Sequence, residues 1–573
     1  MPDVPSLVES LGWAPWALVP LYALGVGTAV DAVMKARTPQ GATAWVFALV
    51  ALPLVALPLY WVVGRFKFED YTGAMDRFDR EVAPRIHAVL DPAMEPLCVE
   101  PEDAASGDDD DGRREVGEMR AFAAMATFPF THGNRASLLV DGEDTFDAIL
   151  GAIDRAERYV LAQFYIVHDD DIGGRFQGAL LRAAARGCEV RFLYDGVGSW
   201  KLPRAYRRAL REGGVGVAAF TGPRSWLKKL RLNFRNHRKI VVCDGRTGFV
   251  GGLNVGDEYL GHDPDFPNWR DTHLETRGPL VQGLQLSFAR DWFYATREGL
   301  ADLEWAPEAA GGSGSEVPVP SPEVAASGGG TASGDGADAV PPTGSPLTSV
   351  EGRARERTRG RERTRGRERT RGEGPSKPPE ASGDAPPAPA RGQRALVLAS
   401  GPADEMETCG LLFAHAIESA ERRVWIATPY FVPDGRVLGA LQLAALRGVD
   451  VRVLMPRTSD SLWFKWVPYA YLPEIERAGV KTLLYEPGFM HQKVTLVDDD
   501  FAAVGTANFD NRSFRLNFEA TVVVHDEAFC ARTAAMLQRD MARATALTRE
   551  DLSGKGFAFR FAASATRLLA PML

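Results

Sequence analysis

Residues 234–254 read FRNHRKIVVCDGRTGFVGGLN, and residues 488–508 read GFMHQKVTLVDDDFAAVGTAN. One pattern underlies both: His, one residue, Lys, four residues, Asp, six residues, Gly, two residues, Asn. It runs through His237, Lys239, Asp244, Gly251 and Asn254, and again through His491, Lys493, Asp498, Gly505 and Asn508. Two copies at identical spacing mark an internal duplication. The apolar runs that follow each lysine read as short strands.

The repetition extends outward. AERYVLAQFYIV (156–167) precedes GCEVRFLYD (187–195) in the first half, and AERRVWIATPYFV (420–432) precedes GVDVRVLMP (448–456) in the second. Each half reads as strand, helix, strand, with the helix ending at glycine. Repeated units of this kind predict an α/β fold with a mainly parallel sheet covered by helices. The expected lobes are residues 121–305 and 395–573. Two similar lobes place the expected site between them, because ligand pockets favour domain interfaces.

In an extended strand, residues i and i+2 share a face. His237 and Lys239 therefore project together, as do His491 and Lys493, and Asn254 and Asn508 arrive from neighbouring strands. Two imidazoles, two ammonium groups and two amides around one point suit a phosphodiester. The lysines and amides would neutralise and orient the non-bridging oxygens. One imidazole would attack phosphorus and the other would protonate the leaving alcohol. A single histidine on a strand is more often structural, as His262 and His273 are expected to be. The matched pair is what points to catalysis. Each imidazole also calls for an orienting carboxylate, with Asp257 and Glu519 as candidates.

The N-terminus has a different character. Ser10 to Val30 and Thr38 to Gly64 carry no charge. Both exceed the ~20 residues that span a ~30 Å hydrocarbon core as helix. Trp45, Tyr60 and Trp61 lie near the ends of the second run, where interfacial aromatics belong. Asp3 and Glu9, without a basic neighbour, fit a signal peptide poorly. The expectation is a transmembrane hairpin over 1–68, with segments at about 11–30 and 43–64. Residues 69–120, with the acidic run Asp108 to Asp111, read as an acidic tether.

Residues 306–394 contain no Phe, Trp, Tyr or Ile, and RERTRG occurs three times in tandem from Arg355 to Gly372. Such a segment cannot bury enough apolar area to offset its ordering entropy, so a disordered insertion is expected. The 573 residues carry net charge −9, and 45% are hydrophobic. This excludes a globally basic nucleic-acid binder and a disulfide scaffold, since the five cysteines are odd in number and scattered. The basic run Lys228-Lys-Leu-Arg231 leads into the first motif and could line an anionic substrate's entrance.

The paired motifs resemble those of the phospholipase D superfamily. A wider set resembles bacterial cardiolipin synthases of that type. Its pieces include ARTPQGATAW (36–45), TFPFTHGNRASLLVDG (127–142), FYIVHDDDIG (164–173), NWRDTH (268–273), ATPYFVP (427–433) and GTANFDNRSFRLNFE (505–519). The insertion departs from that family, which joins its lobes more tightly. The resemblance implies transfer of a phosphatidyl group between two phosphatidylglycerol molecules through a phosphatidyl-histidine intermediate. It implies no metal or other cofactor, no nucleic acid, and a multi-pass place in the bacterial inner membrane with cytoplasmic lobes. The implied catalytic set is His237, Lys239, Asp244, His491, Lys493 and Asp498. Asn254 and Asn508 hold phosphate, and the two aspartates are more supportive than chemical. Hydrolytic phospholipase D, another phosphatidyltransferase, a nuclease and a non-catalytic membrane scaffold are the alternatives.

Overall fold

The computed structural model describes residues 18–35, 39–64, 68–99, 110–221, 234–263, 268–307, 392–459 and 466–569. The RERTRG repeats, the basic run Lys228–Arg231 and the first half of the acidic run, Asp108 and Asp109, lie outside them.

The first half supplies β1 (Thr131–Val140), β2 (Tyr159–Phe164), β3 (Glu189–Asp195), β4 (Gly216–Phe220), β5 (Arg235–Asn236), β6 (Ile240–Cys243), β7 (Thr247–Gly251) and β8 (Thr272–Arg277). The second supplies β9 (Gln393–Ser400), β10 (Arg423–Ala427), β11 (Phe431–Val432), β12 (Asp450–Pro456), β13 (Lys481–Tyr485), β14 (Val494–Val497), β15 (Phe501–Gly505), β16 (Phe509–Asp510), β17 (Asn517–His525) and β18 (Ala544–Leu547). One sheet runs β18-β13-β12-β10-β14-β15-β17-β9-β1-β8-β7-β6-β2-β3-β4. Read from its centre, β9 and β1, the order of one lobe repeats that of the other. The seam is the antiparallel pairing Thr131↔Ala395 and Asn134↔Gln393.

The α/β class and the two similar lobes agree with the sequence, but the sheet is mixed rather than mainly parallel. Along that path the parallel runs are β2-β3-β4 and β10-β12-β13. The strand after each lysine instead folds back as a hairpin, β6 on β7 and β14 on β15. The turns explain this. Asp244 and Gly245 have φ of 55° and 68°, and Asp498 has 49°, conformations that reverse a chain tightly.

Helices follow the parallel strands at matched positions. The carboxylate of Asp170 accepts the Gly173 N–H at the start of helix Asp171–Ala185. Asp434 accepts the Arg436 and Val437 N–H groups at the start of Gly435–Leu446. Such caps satisfy otherwise orphaned donors and contribute about 1 kcal/mol each. Each lobe closes with a helix packed on its sheet, Leu280–Thr296 and Glu527–Met541.

Residues 69–98, expected as part of a tether, are instead packed structure. Helices Glu69–Glu81 and Ala83–Met94 bury Tyr71, Met75, Phe78, Ile86, Leu90 and Met94 in the main core. Tyr71 stacks among Phe518, Tyr294 and Phe220, so this segment touches both lobes.

At the N-terminus, helix Leu18–Lys35 packs on Pro39–Ala51, and a Cβ on Gly25 would meet the Leu49 carbonyl oxygen at 2.6 Å. The single span expected over 43–64 is broken. A second helix begins at Pro53, and Leu52 stands outside helical geometry at φ −136°, ψ 59°. Proline lacks an N–H and disfavours helical backbone in the residue before it. Among the described residues, no helix is long and apolar enough to cross a membrane.

Candidate active site

The two motif histidines meet where the lobes join, and each is held by the opposite lobe. β5 pairs in parallel with β17, and the His237 N–H donates to the Phe518 carbonyl. The His491 N–H donates to the Arg270 carbonyl at 2.7 Å. Both side chains are buried.

The orienting carboxylates are exchanged in the same way. His237 Nδ1 lies 2.9 Å from Glu519 Oε2, and His491 Nδ1 lies 2.7 Å from Asp271 Oδ2. Glu519 was expected in this duty. Asp257 was not brought to the site; its carboxylate accepts the Ile172 N–H instead. Asp271 was missed. Its signal is registration: Gly251 faces His273, and Gly505 faces Thr521. Stepping back two residues from each partner gives Asp271 and Glu519, so the two acids occupy equivalent positions.

Lys239 and Lys493 are buried, and each Nζ donates to the carbonyl oxygen of the histidine two residues earlier. The Lys239 ammonium also lies 5.5 Å from the Tyr165 ring, whose edge meets His237 at a centroid distance of 5.1 Å. Trp269 and Phe489 flank His491 at 5.2 and 5.8 Å. The Asn254 carbonyl accepts the Ile166 N–H and its amide donates to Tyr259. Buried Asn508 Oδ1 has no partner among the described residues.

Asp244 and Asp498 lie away from the imidazoles. β6 and β14 separate them from the lysines by roughly 15 Å at ~3.3 Å per residue. Asp244 accepts the N–H groups of Glu157, Arg158 and Tyr159. Asp498 accepts those of Glu421, Arg422 and Arg423. Each aspartate pins a hairpin turn to the start of a parallel strand. That corrects their place in the catalytic set: these hydrogen bonds fix the strand that carries His and Lys.

Burial and the surrounding cations decide the charge states. Desolvation, opposed by Glu519 and reinforced by Lys239 and Lys493, pushes His237 down to about 4. Desolvation, then Lys493 and Lys239, holds His491 well below its ordinary value. Both imidazoles are neutral at pH 7. The carboxylates differ. Burial pushes Asp271 up despite Lys493. Burial would also raise Glu519, but His237, Lys239 and the Thr506 hydrogen bond together outweigh it, and the carboxyl lies below its ordinary range. Hydrogen bonds from Thr506, Ser513 and Asn517 converge on Glu519 and support its charge.

A second layer repeats the symmetry with altered residues. Arg238, between His237 and Lys239, pairs with Asp291 at 2.8 Å, and Asp291 also accepts from Asn236, Gln163 and Tyr71. In the other lobe Gln492 takes the middle position and donates to Asp540, whose cationic partner is Arg270 at 2.7 Å. Shifting the first motif strand would break the buried Arg238–Asp291 ion pair, and shifting the second would break the hydrogen bond from Gln492 to Asp540. Outside this centre, His168, Asp170 and Glu258 form the one group among the described residues that could hold a metal ion. All three are engaged: Glu258 lies 3.2 Å from His168, and Asp170 accepts from Gly173 and Asp257.

The arrangement gathers two neutral imidazoles, each with a carboxylate partner, and two buried lysines. Known proteins share this chain's sequence over long stretches. The family model described as "Cardiolipin synthase, PLD-like domain" matches residues 149–292 and 413–541, and "Phospholipase_D-nuclease N-terminal" matches 23–65. Cardiolipin synthase A of Pseudomonas entomophila (strain L48) is 39% identical over 555 residues, covering 96% of this chain and 97% of that protein. Its counterpart from Pseudomonas aeruginosa (strain LESB58) is 39% identical over 571 residues, 100% of this chain and 98% of the relative. Among solved structures, phosphatidylserine synthase of Haemophilus influenzae shares the fold, with a TM-score of 0.51 at 12% identity over 80% of this chain and 100% of that one. With relatives this similar along its whole length, the chain belongs to the cardiolipin synthase family of the phospholipase D superfamily.

Proposed function

We propose that the enzyme transfers a phosphatidyl group from one phosphatidylglycerol to the terminal hydroxyl of a second, giving cardiolipin and glycerol. The observation that carries this reading is the exchange of carboxylates between lobes, which poises two neutral imidazoles around one centre beside Lys239 and Lys493. His237 Nε2 attacks phosphorus, the phosphorus–oxygen bond to glycerol breaks, and the proton held by the His491–Asp271 pair passes to the departing oxygen. The acceptor hydroxyl then returns a proton to His491 and attacks phosphorus, which frees His237. Lys239, Lys493, Asn254 and Asn508 orient and neutralise the phosphate oxygens.

The division of labour rests on the two carboxylates. Glu519 keeps its charge, so it fixes the Nδ1–H tautomer of His237 and balances the cation formed on phosphorylation. Asp271, raised by burial, shares a proton more readily with His491.

The helices over 18–63 hold this centre at a membrane in our reading. They expose Val19, Leu24, Val30, Phe47, Leu54 and Val55 among other large apolar side chains, an arrangement water does not favour. We place the chain in the bacterial cell membrane, with the hairpin ahead of lobes 121–305 and 395–573 and the insertion 306–394 between them.

The test is to reconstitute the full chain in phosphatidylglycerol vesicles without added metal and measure products. Cardiolipin and glycerol in equal amounts support the transfer. Phosphatidic acid alone identifies water as the acceptor and overturns it.

A further inference from the structure

The turn after β3 leads from the active site to an exposed basic surface that the chemistry above does not use. Asp195, at the end of β3, accepts the N–H groups of Val197 and Gly198 and also that of Asn236, the residue before His237. Ser199 donates to the Tyr165 carbonyl at 3.0 Å and accepts the Val167 N–H at 3.1 Å. The turn is therefore pinned on both sides to residues that frame His237.

What it presents to solvent is unusual. Trp200 is 73% exposed and Val197 40% exposed. Lys201 lies over the Trp200 ring at 5.7 Å. Helix Arg204–Glu212 follows at once. It buries Tyr206 and Leu210, and its other face carries Arg204, Arg208 and Arg211. Spacing of four and three residues puts these arginines on one stripe. Arg207 is turned aside to the Tyr194 hydroxyl at 3.1 Å. Residues 201–212 contain five basic side chains and one acid, Glu212, which lies 3.7 Å from Arg208. Exposed Asp169 and half-buried Asp170 lie close enough to act on Tyr206, the residue this helix buries. In a chain of net charge −9 this concentration of positive charge stands out.

We propose that Val197, Trp200, Lys201 and the arginine stripe of helix 204–212 form a docking surface that seats the catalytic lobes on an anionic bilayer. Trp200 enters the interfacial layer, where its amphipathic ring is favoured. The arginines bind lipid phosphates, since basic side chains near an anionic surface are attracted within a Debye length. Docking brings the turn that frames His237 against the headgroups, so a lipid phosphate reaches the site with little extraction. The inference deepens the transferase reading and rests on it for the anionic lipid.

The test uses the full chain in vesicles of phosphatidylcholine alone or with phosphatidylglycerol. Cys98, the half-exposed native thiol, is replaced by serine. A W200C variant carries an environment-sensitive fluorophore, and a lipid-borne quencher reports its depth. The expected result is quenching and a blue shift only with phosphatidylglycerol, both lost in R204Q/R208Q/R211Q. In the otherwise native chain, that triple variant should lose about tenfold in turnover on vesicles while keeping wild-type turnover on short-chain, soluble phosphatidylglycerol. A label that stays in water on anionic vesicles overturns the proposal, as does a triple variant that works normally there. Protection of the labelled face by single-stranded DNA but not by lipid overturns it too. Buried label without cardiolipin supports the surface and refutes the transferase; cardiolipin with an exposed label refutes the surface alone.

Discussion

Glu519 grips Nδ1 of His237 at 2.9 Å although the two residues belong to different lobes. Asp271 returns the arrangement by holding His491 at 2.7 Å. Each half of the duplication thus carries one imidazole and the acid that orients the other's.

Replacing either acid by its amide should cost far more activity than fold. For Glu519→Gln and Asp271→Asn, turnover should fall about 10²- to 10⁴-fold, because an amide no longer fixes the tautomer or balances an imidazolium. Circular dichroism and product assays on the same preparations decide it. A loss under about tenfold would refute the orienting role.

The two histidines should separate when the leaving group no longer needs a proton. On a phosphatidyl ester of p-nitrophenol, His491→Ala should release nitrophenolate in a burst, while His237→Ala should release none. The reverse pattern would exchange the roles assigned here.

Acid should destabilise the protein through its buried histidines. His237 is pushed down to about 4 and His273 to about 3, in both cases first by burial, and His491 also lies well below its ordinary value. An unfolded chain binds protons at these three sites near pH 6.5, and the native chain does not. Their stabilising contribution is therefore full above pH 6.5 and is lost as pH falls towards 4. Each site adds a slope of about 1.4 kcal/mol per pH unit within that window. Denaturant titrations from pH 7 to 5 measure it, and a flat profile would show that these groups titrate normally.

Asp244→Ala should harm stability more than chemistry. Three N–H groups lose their acceptor, for a loss of about 3 kcal/mol. Enzyme that remains folded should turn over within about threefold of wild type, since Asp244 sits a strand's length from the lysine. A large fall in kcat at unchanged stability would return it to the reacting centre.

Deleting residues 310–390 should leave turnover largely intact. The flanking chain is anchored independently, by buried Trp305 on one side and by the pairing of β9 with β1 and β17 on the other. Complete loss in a folded deletion variant would give the insertion a direct part in catalysis.

Much of the site was legible because strand periodicity and duplication are local signals. His237, Lys239, His491 and Lys493 followed from spacing alone. Asp271 did not, because the acid lies 20 residues after Gly251 but Glu519 lies 14 after Gly505, so only sheet registration equates them. The mixed sheet was missed because a left-handed aspartate in a tight turn looks, in sequence, like one more motif residue. The helix over 69–81 has a sequence signal: Phe68, Tyr71, Met75, Phe78 and Val82 recur at helical spacing, though the surrounding charge resembles that of a tether.

The seam at Thr131↔Ala395 and Asn134↔Gln393 joins both lobes into one hydrogen-bonded sheet. Parting the lobes like a clamshell would break the backbone pairing at the centre of that sheet. If the proposed transfer holds, substrates would have to exchange without that seam opening, and their order would be set by what fits beside His237 and His491 together.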